Sequence, residues 1–126
     1  MSDPGQAGDQ HATGRPDATG GAGSTGVSAS FQAFLSEAPA HAAAWMEATQ
    51  KLGAASALDD KTAALAYLAV LAATRLESGV PFHAAQAKAA GATRAEVVSA
   101  ILIGLPAAGN QVVQVLPAAL AAYDSA

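Results

Sequence analysis

The hydrophobic and polar positions divide this chain into a glycine-rich polar stretch and a series of short apolar runs separated by caps and breakers. The stretch MSDPGQAGDQHATGRPDATGGAGSTGV has no branched apolar residue before Val27. Such a segment cannot bury enough apolar surface to offset its ordering entropy. Residues 1–27 are therefore predicted to be a disordered tail, with His11 merely solvated, and residues 28–126 to be one helical domain. Ser30 is placed to cap a short helix from Phe31, and Ser36 to cap the next, whose first turn accepts Pro39. That second helix is expected to pass Trp45 and Met46 and stop near Leu52, with Gly53 just past its end.

Asp59 and Asp60 suit the N-terminus of the following helix. No charge falls between Lys61 and Arg75. A helix apolar on every side is expected to be buried on every side, which makes this the central helix. The next begins between Ser78 and Pro81 and runs through His83 to Ala90, with Gly91 in the left-handed closing position. Thr93 and Glu96 spell a capping box that opens a helix through VVSAILIGL. A last helix is predicted from near Asn110 to near Tyr123, kinked at Pro117. No segment alternates with period two, so no strand is predicted. The fold class is all-α, a five- to six-helix bundle with short loops.

Composition adds a surface problem. Hydrophobic residues make up 52% of the chain and charged residues only 13%. So little polar sequence leaves apolar faces on a monomer, which points to an oligomer. The net charge is −4 with no basic block, so neither nucleic acid nor an anionic membrane is an expected partner. There is no cysteine, which removes disulfides, thiolate metal sites and redox pairs. Residues 1–8 lack the basic start and apolar run of a leader, and a cytoplasmic location is expected. The uncharged stretch between Glu96 and Asp124 is interrupted by Gly104, Pro106, Gly109, Asn110 and Gln111. Its pieces fall short of the roughly 20 apolar residues that span a bilayer.

His83 is the main polar group within the core pattern. It reads either as a core histidine satisfied by a backbone carbonyl or as a general acid or base. Arg75, Glu77, Ser78 and Gly79 precede it at the mouth of its helix, where free N–H groups and the helix dipole favour anions. Ser78, Gly79 and His83 would then face an anionic or carbonyl oxygen, and Glu77 would raise the His83 pKa. In the plainer reading Ser78 is only a cap and Glu77 a solvated acid. A metal site from His83, His41 and Glu77 is not expected, since neither helix carries H-x-x-x-H or H-x-x-E spacing. His41 reads as a surface residue, and no cofactor is expected.

Residues 83–93, HAAQAKAAGAT, read H-x-x-x-A-x-x-x-G-A-T, with Glu96 three residues on. A long apolar helix over 58–75 precedes them and a small-residue turn over 104–109 follows. This order resembles the carboxymuconolactone decarboxylase family, also called the alkylhydroperoxidase D-like superfamily, over roughly residues 31–123. The resemblance implies an alkylhydroperoxidase D-like bundle assembled as a homotrimer or homohexamer. It also implies a pocket near the start of the His83 helix, close to a subunit interface. In the peroxidase branch a C-x-x-C pair precedes this histidine, but the matching positions here are Leu76 and Gly79. The position of that branch's relay glutamate is Ala64. Thiol peroxidase activity is therefore not expected.

The decarboxylase branch does without the cysteines and acts on a carboxylated unsaturated lactone. Resemblance to it implies a cofactor-free lyase or isomerase on a small carboxylated or carbonyl substrate. His83 would be the acid or base and Glu77 would assist it. Ser78, Gly79 and Arg75 would bind the substrate, with Lys61 an alternative to Arg75 for holding its carboxylate. Val80-Pro81-Phe82 departs from that branch's own segment, which leaves the substrate open. The other reading is a catalytically inactive oligomeric binding or scaffold module in which His83 is structural.

Overall fold

The structure, a computed structural model, describes residues 27–126. The predicted disordered tail thus lies outside the described residues, apart from Val27. Seven α-helices follow in order: α1 (Ala29–Glu37), α2 (Pro39–Ala55), α3 (Asp60–Thr74), α4 (Val80–Ala89), α5 (Arg94–Leu102), the single-turn α6 (Leu105–Ala108) and α7 (Leu116–Ser125). Short 3-10 segments occupy Glu77–Gly79 and Asn110–Val115, and the described residues contain no strand. The protein is an all-α bundle, with six helices longer than one turn.

Several helix ends follow from local chemistry. The Asp59 carboxylate accepts the Thr62 N–H at 2.7 Å and starts α3. At α5 the capping box is complete: Glu96 N–H donates to Thr93 Oγ1 at 3.1 Å, and Thr93 N–H donates to Glu96 Oε1 at 3.0 Å. Gly91, at φ 94°, closes α4 while Ala92 N–H reaches back to Ala87 O.

Other ends differ from expectation. Ser28, not Ser30, caps α1 by accepting the Phe31 N–H at 3.1 Å. Ser36 donates backward to Ala33 O, so α2 starts at Pro39 behind Ala38, with no side-chain cap. Gly53 does not end α2, because it lacks the left-handed backbone that Gly91 and Gly109 adopt. The helix runs on through Ala54 and Ala55, both strong helix formers. The predicted last helix is divided. Asn110–Val115 is 3-10, and Pro117 sits in the first turn of α7, where a missing N–H costs nothing, so it opens a helix and kinks none.

Helix α3 packs against α4, α5 and the second 3-10 segment, and α7 closes the far side against α4 and α5. Leu68, Ala72, Val80, Val97, Ile101 and Val112 are fully buried between them. The expectation that α3 is buried on every side is not met in the single chain. Its inward face is closed, yet Tyr67 is 49% and Val70 56% exposed. Helices α1 and α2 pack mainly on each other and contribute one buried residue, Ala42.

Candidate functional site

The approach to α4 is set by the end of α3. Arg75 adopts a left-handed backbone, φ 60°, and Leu76 N–H returns to Leu71 O at 3.0 Å. A non-glycine residue in that conformation costs about 1 kcal/mol or more. The turn Glu77–Gly79 then leads into α4, with Pro81 in its first turn. Val80 and Ala84 point into the core on either side of His83 in sequence. His83 consequently sits on the shoulder of the helix, half-buried against α3.

Three side chains hold its ring. Tyr67 of α3 lies 4.3 Å away between ring centroids at 40°. Phe82 meets it edge-on, at 5.1 Å and 85°. Gln86, one turn on, places Oε1 3.1 Å from Nδ1. A carbonyl oxygen only accepts, so with Oε1 toward the ring this contact is a hydrogen bond only for the tautomer that carries its proton on Nδ1, which leaves Nε2 with its lone pair. Gly79 completes the wall, where a Cβ would lie 3.5 Å from Leu71 Cδ1 and 3.8 Å from His83 Cδ2.

Burial holds the His83 pKa below its ordinary 6.5, because the charged ring loses solvation; the Gln86 hydrogen bond opposes this with a smaller effect. The raised pKa expected from Glu77 is thereby corrected. Glu77 is exposed and plays no part in the shift. The neutral ring is the dominant form at neutral pH.

The other sequence-predicted residues are placed less closely. The Arg75 side chain is drawn to the second 3-10 segment, with Nε donating to Gln111 Oε1 at 2.6 Å. Gln111 in turn donates to Ala73 O at 3.1 Å. Lys61 pairs with Glu96 at 2.7 Å and ties α3 to the capping box of α5. Ser78 is exposed and does not cap α4. The amides of Gly79 and Val80 are spent on Leu76 O and Glu77 O, and Pro81 has none. Few donors therefore remain there for an anion. His41 is exposed on α2 and lines a shallow apolar cleft with Phe34, Ala44 and Trp45. Among the described residues, no three His, Asp or Glu side chains group as metal ligands.

The sequence model of the carboxymuconolactone decarboxylase family matches residues 39–122, from the start of α2 into α7 and including the whole of α4. The chain belongs to the carboxymuconolactone decarboxylase family. No curated protein and no solved structure matches it. Its bundle is alkylhydroperoxidase D-like, with an exposed Leu76 and the wall residue Gly79 at the approach to α4.

Sequence reasoning passed over Tyr67, Phe82 and Gln86. Gln86 was within reach, since a residue three positions along a helix lies beside its neighbour. Phe82 adjoins His83 in the chain, but helical neighbours in sequence do not normally face each other, so spacing gave no cue. Tyr67 had no cue beyond being the one aromatic residue of α3.

Proposed function

We propose that this protein is a cofactor-free lyase or isomerase acting on a small carboxylated or carbonyl compound, with His83 moving the proton. The observation that carries this reading is the ring itself: half-buried, clamped by Tyr67 and Phe82, with Gln86 Oε1 3.1 Å from Nδ1 and no hydrogen bond to Nε2 among the described residues. In an isomerisation, Nε2 takes a proton from the carbon beside a carbonyl, and the electron pair moves onto the carbonyl oxygen. The resulting imidazolium returns the proton at the conjugated carbon. In a decarboxylation, Nε2 first takes up a proton from solvent. The bond to the carboxylate breaks, carbon dioxide leaves with the carboxylate oxygens, and its bonding electron pair stays on the carbon. The imidazolium gives that carbon its proton and returns to the neutral ring. Gly79 walls the ring edge, Ser78 is exposed at the approach to α4, and Arg75 would give up its Gln111 hydrogen bond to hold a substrate carboxylate.

Carbon dioxide release and solvent-deuterium uptake with carboxymuconolactone-type substrates test this, with His83→Ala run alongside. A general acid–base histidine contributes about 100- to 10,000-fold, so the variant should lose at least ~100-fold. Equal rates in both proteins would overturn the assignment.

A second reading has its own observation. The His83 face is open, with Tyr67 49% and Phe82 36% exposed, and neither of two shallow clefts elsewhere is lined by His83. On that reading the protein is an inactive binding or scaffold module. His83→Ala would then lower the melting temperature, and neither protein would turn substrate over. Under both readings we propose a homo-oligomer, a trimer or hexamer, in which copies of this chain cover the exposed apolar faces. No helix among the described residues is long and apolar enough to cross a membrane.

A further inference from the structure

We propose that Gln86 is a positioning residue that fixes the His83 proton on Nδ1 and so makes Nε2 the reacting atom. This rests on the reading of His83 as an acid or base, and names the residue that decides which ring nitrogen acts. A neutral imidazole in water carries its proton mainly on Nε2, the opposite of what this site needs. The two ring nitrogens are set against each other by whatever the first one binds. Here Gln86 Oε1 lies 3.1 Å from Nδ1, three residues along the same helix, and no other hydrogen bond to the ring is made among the described residues. Tyr67 against one side and Phe82 edge-on resist the ring flip that would exchange the nitrogens. Tyr67, Phe82 and Gln86 contact the ring and Gly79 lies beside it, and none of the four carries a charge that competes with the amide for the proton. Gln86 is itself exposed, so the core does not depend on it.

The test needs no substrate. Two-bond proton–nitrogen correlation spectra of the 15N-labelled full chain read the tautomer of His83 directly, above the pH at which the ring protonates. In the wild type, Nδ1 should give the protonated, pyrrole-like signal and Nε2 the unprotonated, pyridine-like one. Gln86→Leu keeps the volume and removes the acceptor. It should shift the tautomer ratio toward Nε2–H by about fivefold, which is one hydrogen bond's worth of ~1 kcal/mol. Gln86→Glu supplies a stronger acceptor, so it should keep the proton on Nδ1 and raise the pH at which the ring titrates. Proton mainly on Nε2 in the wild type, or a ratio unchanged in Gln86→Leu, overturns the proposal. The outcome is separable from that of the catalytic reading. If the tautomer follows Gln86 but His83→Ala retains turnover, the positioning stands and the acid–base role falls.

Discussion

Helices α3 to α7 and the pair α1–α2 are built from the same alanine- and leucine-rich material, yet only the first group uses it to make a core. Within α3 to α7, Leu68, Val80, Val97 and Ile101 are completely buried. In α1–α2 Phe31 and Phe34 are partly covered, but the other large apolar side chains face outward: Leu35 is 43% exposed, Trp45 59%, Met46 41% and Leu52 70%. A nine- and a seventeen-residue helix that bury one alanine cannot offset the entropy of ordering them from their own contacts. Helix propensity makes both regions helical; packing makes only one of them self-sufficient. The hairpin is about the size of one side of a standard protein interface, roughly 20–30 residues. Its exposed Trp and Met are types enriched at such surfaces. A second copy of this chain, with its own open Tyr67–Val70–Phe82 face, is the partner we propose for it.

The largest effect should come from breaking the core. Leu68→Ala should lower the unfolding free energy by about 2–5 kcal/mol, measured by urea denaturation. A loss below ~1 kcal/mol would mean that the α3–α5 packing is not what holds the body together. The hairpin should behave in the opposite way. Trp45→Lys should leave the helical content of the body intact and weaken assembly by about 2 kcal/mol or more, if Trp45 is an interface anchor. Light scattering coupled to size exclusion reads the assembly size. Trp45 is the chain's only tryptophan, so its emission should also shift to the red as the wild type is diluted. A wild type that stays monomeric with unchanging red emission would remove the partner and leave the hairpin unexplained.

The same capping chemistry occurs in both regions and sharpens the contrast. Thr93 and Ser28 each accept a backbone N–H at 3.1 Å. Thr93→Ala should cost about 1 kcal/mol of global stability, because α5 belongs to the core. Ser28→Ala should leave the global midpoint unmoved and show only faster amide exchange in the first turn of α1. Equal effects on the midpoint would show that hairpin and body unfold as one unit.

Signals confined to one turn were the legible part of this sequence. Asp59, the Thr93–Glu96 box and Gly91 each act on neighbours three to five residues away, and each stands where it was read. Ser28 and Ser30 defeated the same logic, because two serines two residues apart offer equivalent caps and only the fold chooses. The uncharged run of α3 correctly marked the central helix. It misled about burial, since composition tells that a face needs cover but not whether its own chain supplies it. At the site His83 was legible from its spacing to Gly91 and Thr93. Its surroundings were not, because the Tyr67 contact joins residues on different helices and depends on how α3 and α4 cross. Glu77 was misjudged for a related reason: closeness in sequence was taken for closeness to the ring, whereas the 3-10 turn leaves its side chain in solvent.

The smallest predicted effect is one of pH, and it belongs to the body alone. Burial holds the folded His83 pKa below the 6.5 of the exposed ring. Above pH 6.5 the ring is neutral in the folded and the unfolded chain, and it contributes no pH dependence. As the pH falls below 6.5 the unfolded chain takes up the proton first, so stability drops until the folded ring titrates too. The carboxylates act lower down. Asp59, Glu96 and Asp124 all have folded pKa values below their ordinary 3.8–4.5, so the stability they contribute is lost only as the pH falls beneath that range. The interval between 6.5 and 4.5 therefore isolates the histidine. Urea midpoints of wild type and His83→Gln, compared across it, should converge or cross as the pH falls, with the wild type losing more. The wild-type rate of a His83-dependent isomerisation should fall on the acid side with a midpoint below 6.5, since Nε2 acts as a base only while unprotonated. Parallel stability curves would mean that the ring is solvated in both states, and the shoulder of α4 would then be as open to water as the hairpin.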